Sequence, residues 1–276
     1  MLTILLGLVA AAAWGAPDSV LARGVRQVGP FPVMFGSICV GAVLSMPLVL
    51  TTGMPDLSGR ALPLAVLVGV LTVVGTQAGF TGFTTGSVSV VAPIVSCEGG
   101  VAAVLSLAAG ERVGALILVG LPLALLGVVL VARGDGGGGA AGVVPAAIAA
   151  LVWGCVLALS APLAGDLGVV WAFVLVRLSA VAAMVPFALR TRAIPAARRA
   201  WLPVAIWGVC DAIAYFSFVV AVDRGPASVA GVLAAQFGTV GALVAVTFYG
   251  ERLRRAQVLG IAFVAVAVAL MAVAAG

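Results

Sequence analysis

The sequence predicts an all-α membrane protein of ten transmembrane helices, arranged as two inverted five-helix repeats. Three observations carry that expectation. Of the 276 residues, 64% are hydrophobic and only 8% are charged. The chain divides into ten apolar runs of bilayer length, and its second half repeats text from the first.

Composition excludes most other classes. A soluble domain of this length needs roughly a quarter of its residues charged to cover its surface, so water is not the main solvent. The fourteen basic residues are all arginine and face nine acids. They fall singly or in small groups between apolar runs, which is how charge is placed at a membrane surface, and they form no nucleic-acid patch. Histidine and lysine are absent, which removes the usual general base, most metal sites, the Schiff-base lysine and the Walker lysine of an ATP-driven pump. Cys39, Cys97, Cys155 and Cys210 each lie inside an apolar run without CxxC spacing, and are read as small apolar residues. Neither a metal nor a cofactor is expected.

A hydrocarbon core of about 30 Å is crossed by about 20 apolar helical residues, so runs of that length ending at Gly, Pro, Arg or Asp mark the spans. The first, 2–22, lacks the basic leader of a cleavable signal peptide and is echoed mid-chain, so it is a structural helix. The second and third, 31–51 and 62–82, are separated by a break that holds Arg60. The fourth and fifth, 87–109 and 113–132, meet at Gly110-Glu111-Arg112. The sixth to tenth are 143–163, 168–189, 200–222, 226–249 and 256–275. No gap between them has room for a soluble domain.

Ala12-Ala13-Trp14-Gly15 is echoed by Leu151-Val152-Trp153-Gly154. The segment from Gly86-Ser87-Val88-Ser89-Val90 to Gly110-Glu111-Arg112 aligns with Pro226-Ala227-Ser228-Val229-Ala230 to Gly250-Glu251-Arg252, and places Gly238 opposite Glu98. The chain is a duplication, divided into a first repeat at 1–132, a glycine-rich linker at 133–142 and a second repeat at 143–276. Five helices per half is an odd number, so the second copy is inverted relative to the first, as in many secondary transporters.

The Trp-Gly in the first helix of each half, the Gly-Glu-Arg after the fourth, the glycine-rich fifth helix and Arg177 in the seventh together resemble the drug/metabolite transporter superfamily, in its ten-helix EamA-like branch. The resemblance covers nearly the whole chain. It implies a carrier of amino acids, nucleotide-like metabolites or organic cations, typically an exporter. One departure is that the second helix, Phe31 to Thr51, lacks the arginine expected opposite Arg177.

Ionisable groups at mid-bilayer depth cost roughly 2.5–3.5 kcal/mol on insertion scales, which makes each one inside a span a candidate for function. Glu98 lies at the centre of the fourth span, beside Gly99-Gly100, and is either a proton or cation site or a structural partner for Arg177. Trp207, Asp211 and Tyr215 are four residues apart on one helical face, where an acid between two rings offers charge pairing and cation–π attraction of roughly 0.5–2 kcal/mol. The alternative is packing of the rings, with Asp211 bonded to a hydroxyl or to arginine. Arg177 is either a structural counter-charge or a clamp for a substrate carboxylate or phosphate. Trp14, Trp153, Gln77 and Gln236 lie at similar depths and either line a central cavity or pack between helices. Asp18 is about a turn from the end of the first span, within reach of headgroups or water. The charges of Gly110-Glu111-Arg112 and Gly250-Glu251-Arg252 read as interfacial, and Trp171 and Trp201 as interface anchors.

These features favour a secondary transporter of an amine-bearing solute, cationic or zwitterionic, in a cell membrane. A carboxylate in hydrocarbon is tolerated only when neutralised, so an acid shared between proton and ammonium couples two flows. The partners expected are a small-molecule substrate, protons and the lipid bilayer, with the chain a monomer or a homodimer and no nucleic acid involved. An intramembrane enzyme is disfavoured because HExxH, GxSxG, SxxK and clustered aspartates are all missing. A non-transporting subunit or sensor and a lipid flippase remain as alternatives. The odd-numbered connections hold ten arginines, at 23, 26, 133, 190, 192, 198, 199, 252, 254 and 255, against Arg60, Arg112 and Arg224 on the other face. The positive-inside rule therefore places both termini outside, whereas the resemblance implies that both are cytoplasmic.

Overall fold

The computed structural model describes residues 1–86, 88–132, 142–249 and 255–274, and among them every regular element is helical. The first half contains α1 (Leu2–Gly15), α2 (Asp18–Val28), α3 (Pro30–Ser45), α4 (Ala61–Thr85), α5 (Val88–Ser96), α6 (Glu98–Ala108) and α7 (Ala115–Ala132). The second contains α8 (Val143–Leu167), α9 (Val169–Arg190), α10 (Ala193–Arg199), α11 (Trp201–Arg224), α12 (Ala227–Ala234), α13 (Phe237–Tyr249) and α14 (Arg255–Ala274). A 3-10 turn, Met46–Thr51, extends α3. The linker 133–142, apart from Gly142, and Gly250-Glu251-Arg252 lie outside the described residues.

The protein is a ten-span helical bundle of two five-span repeats. Five spans are single long apolar helices: α3 with its 3-10 extension, α4, α8, α9 and α11. α1 and α2 form a first span bent by 44°. The remaining four are α5 with α6, α7, α12 with α13, and α14. Three of the runs expected to be continuous are therefore broken: 2–22 at Ala16-Pro17, 87–109 at Cys97, and 226–249 at Ala235-Gln236. Proline withholds a backbone N–H at the first break, and glycines flank the other two. Apolar periodicity does not register such breaks, because the residues around them are themselves mostly apolar.

Exchange of the halves maps the helix packing onto itself. α1 packs on α11 as α8 packs on α4, α3 packs on α11 as α9 packs on α4, and the seams α3–α9, α6–α12 and α7–α14 each join equivalent spans. This is the arrangement of an inverted repeat about a two-fold axis in the membrane plane. Along α4, Leu62, Val66, Leu67, Val70 and Val74 are exposed while Ala65, Gly69, Thr72, Gly75, Thr76 and Gly79 are turned inward. Large apolar side chains thus meet lipid and small ones meet neighbouring helices. A Cβ on Gly69 would come within 2.6 Å of Ser179 Cβ on α9.

Candidate functional site: a central acidic and aromatic cavity

The two Trp-Gly pairs build the centre of the bundle. Gly15 presses on the carbonyl of Phe237, the first residue of α13, and Gly154 presses on the carbonyl of Glu98, the first residue of α6. A side chain at either position would collide with backbone, so only glycine lets the first helix of each half touch the break in the fourth helix of the other. Trp14 and Trp153 are separated by 139 residues, as are Glu98 and Phe237. Phe237, and not Gly238, therefore holds the place of Glu98 in the second half.

The adjoining tryptophans line a small cavity of about 70 Å³. Trp14 and Trp153 meet edge to face, their ring centroids 6.0 Å apart. Phe80 and Trp207 form a second edge-to-face pair at 5.0 Å. A Cβ on Gly75 would come within 2.7 Å of Trp153, so that glycine admits the ring. Glu98 and Asp18 supply two buried carboxylates to the wall, and Thr76 a hydroxyl; among the described residues no basic side chain lines it. Asp18, expected within reach of headgroups or water, is buried in the cavity wall. The break after Gly15 sets it on the inner face of α2 with Leu21, Ala22 and Val25, while Arg23 and Arg26 face outward.

The cavity is placed asymmetrically. Leu21, Phe83 and Trp207 line it near the helix ends that lead into the odd-numbered connections. Asp211 and Arg177 lie beyond its floor. Arg177 Nη1 is 2.6 Å from Asp211 Oδ2, and both side chains are 1% exposed. Nη2 of Arg177 also donates to the Asp211 carbonyl at 3.3 Å. The guanidinium stands over the rings of Phe173 and Tyr215, at 5.4 and 5.0 Å from their centroids, and the Tyr215 hydroxyl is 3.2 Å from Ser160 Oγ. Gly41 of α3 faces the guanidinium, where an added Cβ would lie 3.6 Å from Nε. The second span, which lacks the arginine expected opposite Arg177, presents Gly41 to the guanidinium.

Comparison with known proteins decides the family. The EamA-like transporter model matches residues 1–133 and again 140–273. The chain belongs to the EamA-like transporter family. This EamA-like transporter also shares its fold with a solved crystal structure at a TM-score of 0.74 and 17% identity, over 98% of this chain and 96% of the other. No curated protein matches the sequence. Family membership makes the protein a multi-pass membrane transporter of small solutes, within the drug/metabolite transporter superfamily.

The other residues singled out by sequence fall elsewhere in this EamA-like transporter. Gln77 bonds Thr81 of its own helix, and Gln236 bonds the Val232 carbonyl and accepts from Thr239, so neither lines the cavity. Trp207 lines it, whereas Asp211 and Tyr215 on the same helical face do not. Glu111 has a partner that sequence reasoning missed. Its carboxylate accepts from the backbone N–H groups of Ala227 and Ser228 and from the Ser228 hydroxyl, which caps α12 of the opposite half at a helix N-terminus where negative charge is favoured. The signal was available in the duplication, since Glu111 and Pro226-Ala227-Ser228 belong to the two aligned segments. At the same face, Trp171 donates to the Gly53 carbonyl at 2.7 Å, and Arg60 forks onto Asp166 at 2.9 and 3.1 Å. Each of these contacts joins one half to the other.

Proposed function

We propose that this chain is a proton-coupled secondary transporter of a small cationic amine in the cell membrane, working by alternating access, with Glu98 as the carboxylate shared between proton and substrate. The observation that carries this reading is the lining of the cavity: two buried carboxylates among aromatic rings, with no basic side chain among the described residues. A carboxylate in such a place is costly unless neutralised. A proton neutralises it in one state and an ammonium in the other, so the two compete. Trp14, Trp153, Trp207 and Phe80 add faces that attract cations.

A zwitterionic amino acid fits less well than a cation. Its carboxylate would need the guanidinium of Arg177, which is already held by Asp211 outside the cavity. An inward proton gradient would drive such an exchanger to export the amine. The two halves would rock about the cavity, and the Glu111 cap and the Arg60–Asp166 fork would open and close one face. The self-contained duplication supports action as a monomer.

Proton release tests this reading. Adding alkylammonium salts at matched pH to weakly buffered, purified protein in detergent is expected to release protons, and Glu98→Gln is expected to abolish the release while the protein stays folded. Release that persists in Glu98→Gln, or equal binding of anionic solutes, would overturn it. A folded protein that exchanges no solute across liposomes would favour a sensor or a non-transporting subunit.

A further inference from the structure

Asp18 carries chemistry that a site for one cation does not use. It occupies the core stripe of an amphipathic helix, where Leu21, Ala22 and Val25 follow at helical spacing, and it is 7% exposed. Its Oδ2 is buried without a hydrogen-bond partner, as is the Thr76 hydroxyl on the same cavity wall. The arginines of its own helix are not available to it: Arg23 and Arg26 face outward, and Arg26 donates to the carbonyls of Phe83 and Gly86. Arg177, on the other side of the floor, is paired with Asp211. Asp18 and Glu98 come from different spans of the first half and enter the cavity without a cationic partner among the described residues.

We propose that Asp18 and Glu98 together form a two-point cation site, and that the preferred ligand class is a diamine carrying two separated positive charges. The proposal rests on the amine-transport reading above and deepens it. A single ammonium neutralises one carboxylate and leaves the other to a proton. A dication meets both at once, and the second charge-assisted hydrogen bond is what distinguishes it from a monoamine of equal length. The aromatic rings that line the same cavity suit the apolar linker.

The test is a binding titration of the full chain in detergent, using α,ω-diaminoalkanes of three to eight carbons and matched n-alkylamines as probes. The best diamine is expected to bind at least tenfold tighter than its matched monoamine, and Asp18→Asn is expected to bring that ratio close to one. Asp18→Glu keeps the charge and moves it inward by one methylene, so its optimum should fall at a shorter diamine. A wild type without diamine preference, a ratio that survives Asp18→Asn, or an unchanged optimum in Asp18→Glu would overturn the two-point site. If monoamines still bind in a Glu98-dependent way, that failure leaves the transport reading standing. Failure of every amine to bind would remove both.

Discussion

Trp14 Nε1 donates a 2.9 Å hydrogen bond to Asp211 Oδ1, so the indole that floors the cavity is held by a carboxylate which is itself held by Arg177. Sequence spacing grouped Asp211 with Trp207 and Tyr215 as one surface. The fold instead turns Trp207 into the cavity and ties Asp211 beneath it. Removing one partner of a buried ion pair strands the other charge, at a cost of about 3–5 kcal/mol. Arg177→Met and Asp211→Leu are each expected to lower thermal stability strongly. The double variant should recover much of the loss, because both buried charges are then gone. Melting curves of the three variants in one detergent check this, and a double variant less stable than either single one would contradict it.

Trp153 sits against Gly75 with no room for a methyl group. Gly75→Ala is expected to push the indole toward the cavity and weaken amine binding, with an overpacking penalty of about 1–3 kcal/mol. Gly79, one turn further along α4, offers a control. A Cβ there would meet Ala149 Cβ at 3.6 Å, an ordinary contact, so Gly79→Ala, although it too lines the cavity, should fold as wild type does and leave Trp153 in place. Comparing affinity and melting temperature in the pair separates ring displacement from a general effect of helix glycines.

The bundle itself was legible in the sequence because span length and duplication are long-range signals: the ten runs, their order and the inversion all follow from apolar text and an odd helix count. The breaks were less legible. Cys97, Ala235 and Ala16 interrupt helices without interrupting hydrophobicity, so the midplane kinks that bring Glu98 and Asp18 inward leave no mark in a hydropathy profile. Glu98, Trp14, Trp153 and Trp207 were found as an acid and rings at mid-depth, and all four line the cavity. Gln77 and Gln236 share that depth yet bond within their own segments, because depth fixes height along the bilayer normal but not the direction in which a side chain points. Asp18 is buried although it stands near the end of its run. Distance from the end of a run measures depth only when the helix is straight, and the first span bends by 44°.

The Arg60–Asp166 fork and the Glu111 cap at the even-numbered face differ in how much they contribute. Arg60 is 75% exposed where it meets Asp166, and an exposed ion pair contributes little and is screened by salt. Arg60→Ala is therefore expected to shift the melting temperature little, and by less still in 0.5 M salt. A large, salt-independent loss would mean that this fork bears on the fold itself.

Glu111 stands in a different position. It joins the Gly-Glu-Arg turn of the first half to the first residues of α12 in the second, satisfying two backbone N–H groups that helix geometry leaves open. Loss of a helix cap costs about 0.5–2 kcal/mol, and here the loss falls on a contact between halves. Glu111→Ala is expected to speed amide exchange over 227–231 while leaving α8 and α9 protected. Ser228→Ala should do so only partly, because it removes one donor and leaves the backbone bonds intact. If the bridge also closes that face during transport, Glu111→Ala should raise the reactivity of a cysteine placed in the first turn of α12 toward an impermeant maleimide applied from that face. Faster exchange without a change in labelling would make Glu111 a cap alone. A rise in both would tie the end of α12 to the opening of the face.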